Sequence, residues 1–264
     1  MTTARTRSSC TWLVGLALLL LLPAGAAAQS VESVVSAMED TYRTQMESVD
    51  TYIVKTDMYT TYSRKLATDD GFTMESVTRL NDDSPLPTGE QPASTAATML
   101  RTIEDLRKHA TYSGTEVIDR VNCHVLTVDD PSKMDSGMGG DQMDQIRYYI
   151  NAATYQPHEM RATAAQGEQG TPLNVEIRLR DYRTVDGLSM PYRTEIQTDL
   201  SPAQKQQMQQ MMNMPEEQKN QMRQMMGAEQ FDRLERMLNG EALVINVTDL
   251  QVNAPLPDGI FGDS

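Results

Sequence analysis

The stretch that decides the fold spans residues 172–198 and reads PLNVEIRLRDYRTVDGLSMPYRTEIQT. Apolar and polar residues alternate over 173–179, and the alternation resumes over 188–196. Between the two halves stands Asp186-Gly187, a dipeptide suited to the two-residue turn that joins antiparallel strands. Period-two alternation is typical of a strand with one buried face and one face in water. The sequence therefore predicts a long β-hairpin here, buried on one side.

Alternation elsewhere predicts more strands on both sides of this hairpin. Tyr52, Val54, Met58 and Tyr62 alternate with polar residues, and the pattern continues beyond the Asp70-Gly71 turn. We interpret residues 52–80 as a second long hairpin. Further strands are predicted at 117–125, 146–150, 158–164 and 243–247.

Two segments have helical spacing instead. Apolar residues recur every three or four positions from Val31 to Val49, and Ser30 is placed to cap the first turn. A shorter amphipathic helix is predicted around Met99, Leu100, Ile103 and Leu106. An amphipathic helix needs an apolar surface to cover, so the sequence predicts an α+β domain in which helices lie on a curved antiparallel sheet.

Residues 201–240 form a predicted helical insertion rich in Met and Gln. QKQQMQQMM from Gln204 is repeated as QKNQMRQMM from Gln218, so each copy presents a narrow methionine stripe. The stripes suit a flexible lid or ordinary core packing, a copper(I) site built from thioethers, or a helix that binds a partner. The stripe residues are Met208, Met211, Met212, Met222, Met225 and Met226. Two other segments, 81–95 and 131–145, are rich in turn formers and are predicted to be flexible loops.

The first 28 residues resemble a secretory signal. A basic start precedes an apolar run over 12–22, and Ala26 to Ala28 supply the small residues of a cleavage site. The run is about half the length that a bilayer span requires. We therefore expect cleavage near Ala28 and a periplasmic mature chain, residues 29–264, that forms a single domain and is free of lipid of its own.

Composition excludes several functions. The chain carries 37 acidic and 23 basic residues, a formal net charge of −14, which disfavours nucleic acid and anionic head groups as partners. Cys123 is the one cysteine that remains after cleavage. Its neighbour His124 would point to the opposite face of a strand, so Cys123 is expected to be a small core residue rather than a nucleophile. No catalytic motif is recognised, and we predict no enzyme activity, no cofactor and no metal site.

Three stretches resemble the LolA-like group of outer-membrane lipoprotein-sorting proteins, which includes LolB and RseB types. They are IRYYINAATYQPHEMRA from Ile146, RLRDYRTVDGLSMPYRTEI from Arg178, and VTDLQVNAPLPDGIF from Val247. The resemblance covers most of residues 30–264 apart from the loops and the insertion. One departure concerns Tyr62-Ser63-Arg64-Lys65, which lacks the proline of the family's aromatic-Arg-Pro element.

The resemblance implies an open half β-barrel, lidded by helices, that holds lipoprotein or lipid acyl chains without chemistry. It also implies membrane-bound donor and acceptor proteins, and we expect a monomer. An apolar cavity would be lined by Tyr52, Val54, Met58, Val175, Ile177, Leu179, Met190, Tyr192 and Ile196. Two alternatives remain, a lipid-sensing regulator on the same fold and a methionine-based copper(I)-binding protein.

Overall fold

In the residues that a computed structural model describes, the protein forms an open antiparallel sheet of ten strands with helices packed against it. The structure describes residues 29–68, 71–81, 96–135, 143–164, 173–199, 215–226 and 239–262, with the single positions 206, 231 and 236. Its strands are β1 Thr51–Thr56, β2 Tyr59–Thr68, β3 Gly71–Leu80, β4 Ala110–Ile118, β5 Val121–Val128, β6 Met143–Asn151, β7 Pro157–Ala164, β8 Leu173–Val185, β9 Leu188–Asp199 and β10 Leu243–Val252. Its α-helices are α1 Val31–Met46, α2 Ala96–His109 and α3 Glu216–Met226.

Every neighbouring pair of strands in the sheet is antiparallel. The order is β3-β2-β1-β10-β9-β8-β7-β6-β5-β4, so β10 lies between the N-terminal three strands and the remaining six. Neither edge strand, β3 or β4, pairs with the other within the described residues. The sheet is open, and the predicted α+β class is confirmed.

Helix α2 shows that the sheet is strongly curved. It contacts β3 at one edge of the sheet and β4 and β5 at the other. A flat ten-stranded sheet would be about 43 Å wide at 4.8 Å per strand spacing, whereas a helix of 14 residues is about 21 Å long. Both edges therefore curve toward α2, which gives the half-barrel that the resemblance implies.

Helix α1 begins where its sequence predicts. The Ser30 hydroxyl accepts a hydrogen bond from the Ser33 backbone N–H at 3.2 Å, and the Ser33 hydroxyl accepts one from the Ser30 N–H at 3.0 Å. This reciprocal cap satisfies two donors that the first turn leaves without partners. The helix ends at Met46, earlier than the apolar spacing predicts, yet Val49 is fully buried beyond it.

The buried side chains form two main clusters on the concave face. The first joins α1 and α2 to β5, β6 and β7, and the second joins the end of α1 to β1, β3, β9 and β10. Members of the first include Val34, Val35, Met38, Ile103, Leu106, Leu126 and Ile146. Members of the second include Met46, Val49, Tyr52, Val54, Met74, Leu188 and Leu250.

Two predicted strands are in fact hairpins. The segment from Tyr52 to Tyr62 turns at Asp57 and Met58, so β1, β2 and β3 form a meander instead of one long hairpin. The segment around residues 117–125 turns at Asp119 and Arg120, which both have positive φ. These corrections add two strands to the predicted sheet.

The second face of β7, β8 and β9 is not simply wet, contrary to the sequence prediction for the 173–198 hairpin. The Glu159 side chain is only 1% exposed, and its carboxylate lies 2.6 Å from Arg161, 3.2 Å from Arg180 and 3.8 Å from Arg178. Glu176 on β8 adds an ion pair with Arg178 at 2.7 Å. From Val175 to Arg180, side chains on both faces of β8 are half-buried, because this ion-pair network covers the polar face there.

The predicted loops and insertion lie largely outside the described residues. Residues 82–95 and 136–142 are outside them, as are the signal segment 1–28 and most of 201–240. The described start of the second loop is a 3-10 turn, Pro131–Lys133, and Pro131 and Met134 are buried against the sheet. Within the insertion, Phe231 is buried, and the Arg223 guanidinium lies 5.0 Å from its ring. Among the described helices, none is long and apolar enough to cross a membrane.

A charged clasp joins α1 to α2. The Arg107 Nη2 donates to the Glu39 carboxylate at 2.7 Å, and the Arg43 Nε donates to its second oxygen at 2.7 Å. These two hydrogen bonds hold the pKa of the Glu39 carboxyl below its usual value of 4.5, and the bond from Arg107 has the larger effect. The carboxylate form is therefore the one that the folded protein stabilises.

The clasp predicts an acid dependence of stability. When folding lowers the pKa of a carboxyl group, the ionised group stabilises the folded protein at every pH above the pKa of the unfolded state. This stabilisation is lost as the pH falls through the lower pKa of the folded state. We expect Glu39→Gln to lower the free energy of unfolding at pH 7 by about 1 kcal/mol, with the deficit shrinking below pH 4.5. Urea unfolding across this range measures it. Asp40→Asn, which neutralises an exposed carboxylate of the same helix, is the control, and an equal deficit for both variants would contradict the clasp.

Candidate ligand-binding cavity

A cavity, here called cavity A, opens where the two core clusters meet. Helices α1 and α2 form one wall, and the concave face of the sheet with the β6–β7 turn forms the other. Its volume is about 80 Å³, several times what a single water requires. The lining residues are Met38, Thr41, Tyr42, Gln45, Tyr52, Met99, Ile103, Tyr155, Gln156, Pro157, Tyr182, Leu188, Ser189, Met190 and Pro191.

A second cavity, cavity B, lies beside cavity A on the sheet and has a volume of about 50 Å³. Its walls are strands β1, β2, β9 and β10, where the N-terminal meander meets the rest of the sheet. Its lining residues are Tyr52, Val54, Thr56, Tyr59, Thr61, Met190, Pro191, Thr194, Ile245 and Val247.

Three residues line both cavities and so separate them. Tyr52 comes from β1, and Met190 and Pro191 come from β9. Met190 is half-buried and has an unbranched, flexible side chain that adapts to irregular space.

Two of the hydroxyl groups that line cavity B, those of Thr56 and Thr61, are engaged within the protein. The Thr56 hydroxyl donates to the Tyr59 carbonyl at 2.9 Å and accepts from the Met58 and Tyr59 backbone N–H groups. The Thr61 hydroxyl is hydrogen-bonded to that of Thr78 at 2.9 Å. Because these two groups are satisfied, they add little polarity to the wall of cavity B.

The structure places three of the nine predicted cavity residues at these sites. Tyr52 and Met190 line both cavities, and Val54 lines cavity B. Tyr192 packs at the edge of the second core cluster, under the Arg183 guanidinium. Ile196 pairs with Ile177 across β8 and β9. Five predicted residues are not among the described residues that line either cavity. They are these two isoleucines, Val175 and Leu179 on β8, and Met58 in a turn.

Several lining residues had no sequence prediction as site residues. Thr41, Gln45 and Tyr42 lie on α1, and Tyr155 and Gln156 lie in the β6–β7 turn. The amphipathic spacing of α1 showed that one face must be covered, and Tyr42 belongs to that face. Nothing in the spacing indicated that part of the face meets a gap in the core instead of a side chain.

Cys123 is a buried side chain, as predicted, and it lies on the ion-pair face of the sheet. It packs with Val125 and Tyr149, and His124 points to the other face toward Tyr155. Burial is the main reason that the pKa of the Cys123 thiol is raised to about 11, and Glu159 adds to the rise. A thiol with this pKa is almost wholly protonated at neutral pH, so it is a poor nucleophile.

The predicted lid residues are not located by the structure. Met208, Met211 and Met212 lie outside the described residues, and so do the side chains of Met222, Met225 and Met226 on α3. The lid and copper(I) hypotheses both depend on these thioethers, so both stay predictions. Within the described part of the chain, no group of three or more His, Cys, Asp or Glu side chains is placed to hold a metal.

Among solved structures, the chain is similar to LolA-like proteins. A putative outer membrane lipoprotein-sorting protein domain from Vibrio parahaemolyticus matches with a TM-score of 0.48 at 12% identity, over 88% of this chain and 97% of that one. A LolA superfamily protein from Nitrosomonas europaea matches with a TM-score of 0.44 at 13% identity, over 89% and 99%. A DUF1329 family protein from Desulfovibrio piger gives 0.45 at 10% identity, over 88% and 96%.

These are likenesses of fold alone, at 10% to 13% sequence identity. No protein-family model matches the chain, and no curated protein matches it.

Proposed function

We propose that the mature chain, residues 29–264, is a periplasmic carrier that holds the acyl chains of a lipid or lipoprotein in cavity A without chemistry. It would receive and deliver this cargo at membrane-bound partners. The observation that carries the proposal is the position of cavity A, on the concave side of the sheet and lined by members of both core clusters. Protein interiors are otherwise packed to the density of organic crystals.

The chemistry of the lining supports an acyl ligand. Most of the wall is apolar, with Met38, Met99 and Ile103 on the helices and Leu188 and Met190 on the sheet. Burying an acyl chain is favourable by about 0.8 kcal/mol for each CH₂ removed from water. Methionine side chains can adjust to chains of different length, which suits a carrier that must both bind and release.

The helical wall also supports reversible loading. Helices α1 and α2 contact each other and are tied together by the Glu39 clasp. Cavity A lies between this helix pair and the sheet, so it widens when the helices move away from β9 and the β6–β7 turn. We therefore expect loading to be accompanied by movement of α1 and α2 relative to the sheet.

Filling the cavity with protein tests the proposal directly. Thr41 is half-buried and lines cavity A, whereas Thr44, one turn later on α1, is exposed and does not line it. We expect Thr41→Trp to reduce uptake of a fluorescent acyl methyl ester by about tenfold or more, since an indole takes the space of several CH₂ groups. The matched control Thr44→Trp should retain uptake. Fluorescence titration of both variants and of the unaltered protein measures the effect.

Native mass spectrometry of protein extracted from its own cells supplies the complementary result. A co-purified lipid or acylated peptide supports the carrier. Equal uptake by the two tryptophan variants would place the ligand outside cavity A. Complete absence of uptake by the unaltered protein, together with no co-purified apolar ligand, would contradict the function itself.

A further inference from the structure

We propose that cavity A selects acyl ligands whose polar part is uncharged, such as esters and amides, and rejects carboxylates and phosphodiesters. This inference rests on the proposed function and names the chemical class of its ligand. It follows from the kind of polar group that lines the cavity.

Charged side chains make up 23% of the chain. Even so, among the described residues that line cavities A and B, not one is Asp, Glu, Lys, Arg or His. A third opening, on the far side of α1, shows the contrast, because Asp40, Arg43, Glu47 and Lys65 all line it. The lack of charge is therefore a property of the concave side, and the two faces of α1 differ in this respect.

Cavity A still contains polar groups that can orient a ligand. Thr41 and Gln45 project from α1, and Gln156 and Ser189 lie on the opposite wall. The Gln156 side-chain amide donates to the Ser189 hydroxyl at 2.9 Å, which fixes both groups. A primary amide has two N–H donors and a carbonyl acceptor, so one such hydrogen bond leaves capacity for a ligand.

These groups suit an ester or amide better than an ion. An ester carbonyl leaving water needs one hydrogen bond in exchange, which a glutamine amide or a hydroxyl supplies. An ionised carboxylate or phosphodiester in the same place would lose its hydration without a counter-charge, and that exchange is unfavourable. The net charge of −14 adds a second, longer-range repulsion of anions.

A matched pair of probes tests the selection, namely one fluorescent acyl chain presented as its methyl ester and as its free carboxylate at pH 7.5. We expect the unaltered protein to prefer the ester by about tenfold or more. The preference should persist in 1 M salt, where the Debye length of about 3 Å screens the general acidity of the surface. Its disappearance in salt would assign the preference to surface charge and overturn the inference.

A charge-adding variant makes the test specific to the cavity. Gln45→Lys places a cation in cavity A and should raise carboxylate affinity by about tenfold. Thr44→Lys adds the same charge one residue away, on the exposed side of α1, and should leave the ratio of ester to carboxylate affinity unchanged.

The two proposals fail in distinguishable ways. Binding of ester and carboxylate within about twofold of each other overturns the selection and leaves the carrier function standing. Binding of neither probe contradicts the carrier function, and the inference falls with it. Equal gains in carboxylate affinity from Gln45→Lys and Thr44→Lys would show that the site of selection is not cavity A.

Discussion

Replacing Glu159 with Gln is expected to lower the free energy of unfolding by about 3 to 5 kcal/mol, the cost of breaking a buried ion pair by removing one partner. The Glu159 side chain is 1% exposed, and Arg161 and Arg180 lie within 3.2 Å of its carboxylate. Without the negative charge, these guanidinium groups, whose side chains are 43% and 20% exposed, would lose their shared counter-charge and repel one another. Urea unfolding at pH 7 measures the loss.

Glu176→Gln is the matched control, because Glu176 belongs to the same network but its side chain is 25% exposed. Partly exposed ion pairs contribute about 1 kcal/mol or less, so the control should be much milder. Burial raises the pKa of the Glu159 carboxyl, although the Arg161 guanidinium opposes the rise. If Glu159→Gln lowered the free energy of unfolding no more than Glu176→Gln does, the Glu159 carboxyl would be protonated in the folded protein.

Ile103→Ala and Leu106→Ala should each destabilise the protein by about 2 to 5 kcal/mol, the usual cost of truncating a buried aliphatic side chain. Both residues lie on α2, both are at most 2% exposed, and both belong to the first core cluster. Thermal or urea unfolding gives the two costs. The pair is informative because only Ile103 lines cavity A.

The same pair separates stability from binding. Ile103→Ala enlarges cavity A, so its affinity for a methyl-branched acyl ester should rise about fourfold relative to the unbranched ester, the value of one buried methyl group. Leu106→Ala leaves the cavity walls in place and should not alter this ratio. A similar change in both variants would mean that the ratio reports loosening of the helices and not the shape of the cavity.

The predictable part of the fold is the part where turn chemistry and alternation agree. Asp186 and Gly187 both have positive φ, and the β8–β9 hairpin closes on them as predicted. Alternation does not reveal the Asp57-Met58 turn, because a turn of two residues keeps the apolar residues of both strands at even-numbered positions. The turn at Asp119 and Arg120 was missed because it adopts positive φ without the glycine or asparagine that usually signals it.

The cavity was less predictable than the sheet for a geometric reason. Alternation identifies which side chains face the interior, but two interior side chains such as Tyr52 and Leu179 look alike in sequence although only Tyr52 lines a cavity. A gap in a core depends on the fit between distant segments, here α1, β9 and the β6–β7 turn. The polar residues Gln45 and Gln156 at interior positions are the signal that distinguishes this gap, and they can be recognised only after the fold is known.

The central position of β10 has a consequence for the order in which the chain assembles. Strand β1 pairs with β10, which begins almost two hundred residues later. In the part of the chain that the structure describes, only β10 links the first three strands to the other six by strand pairing. During synthesis the meander and the six-stranded half can each form early, but they stay separate sheets until β10 arrives. Cavity B and the shared wall at Tyr52 exist only across that last junction. Before β10 is in place, a nascent chain thus has neither cavity B nor the Tyr52 wall that the two cavities share.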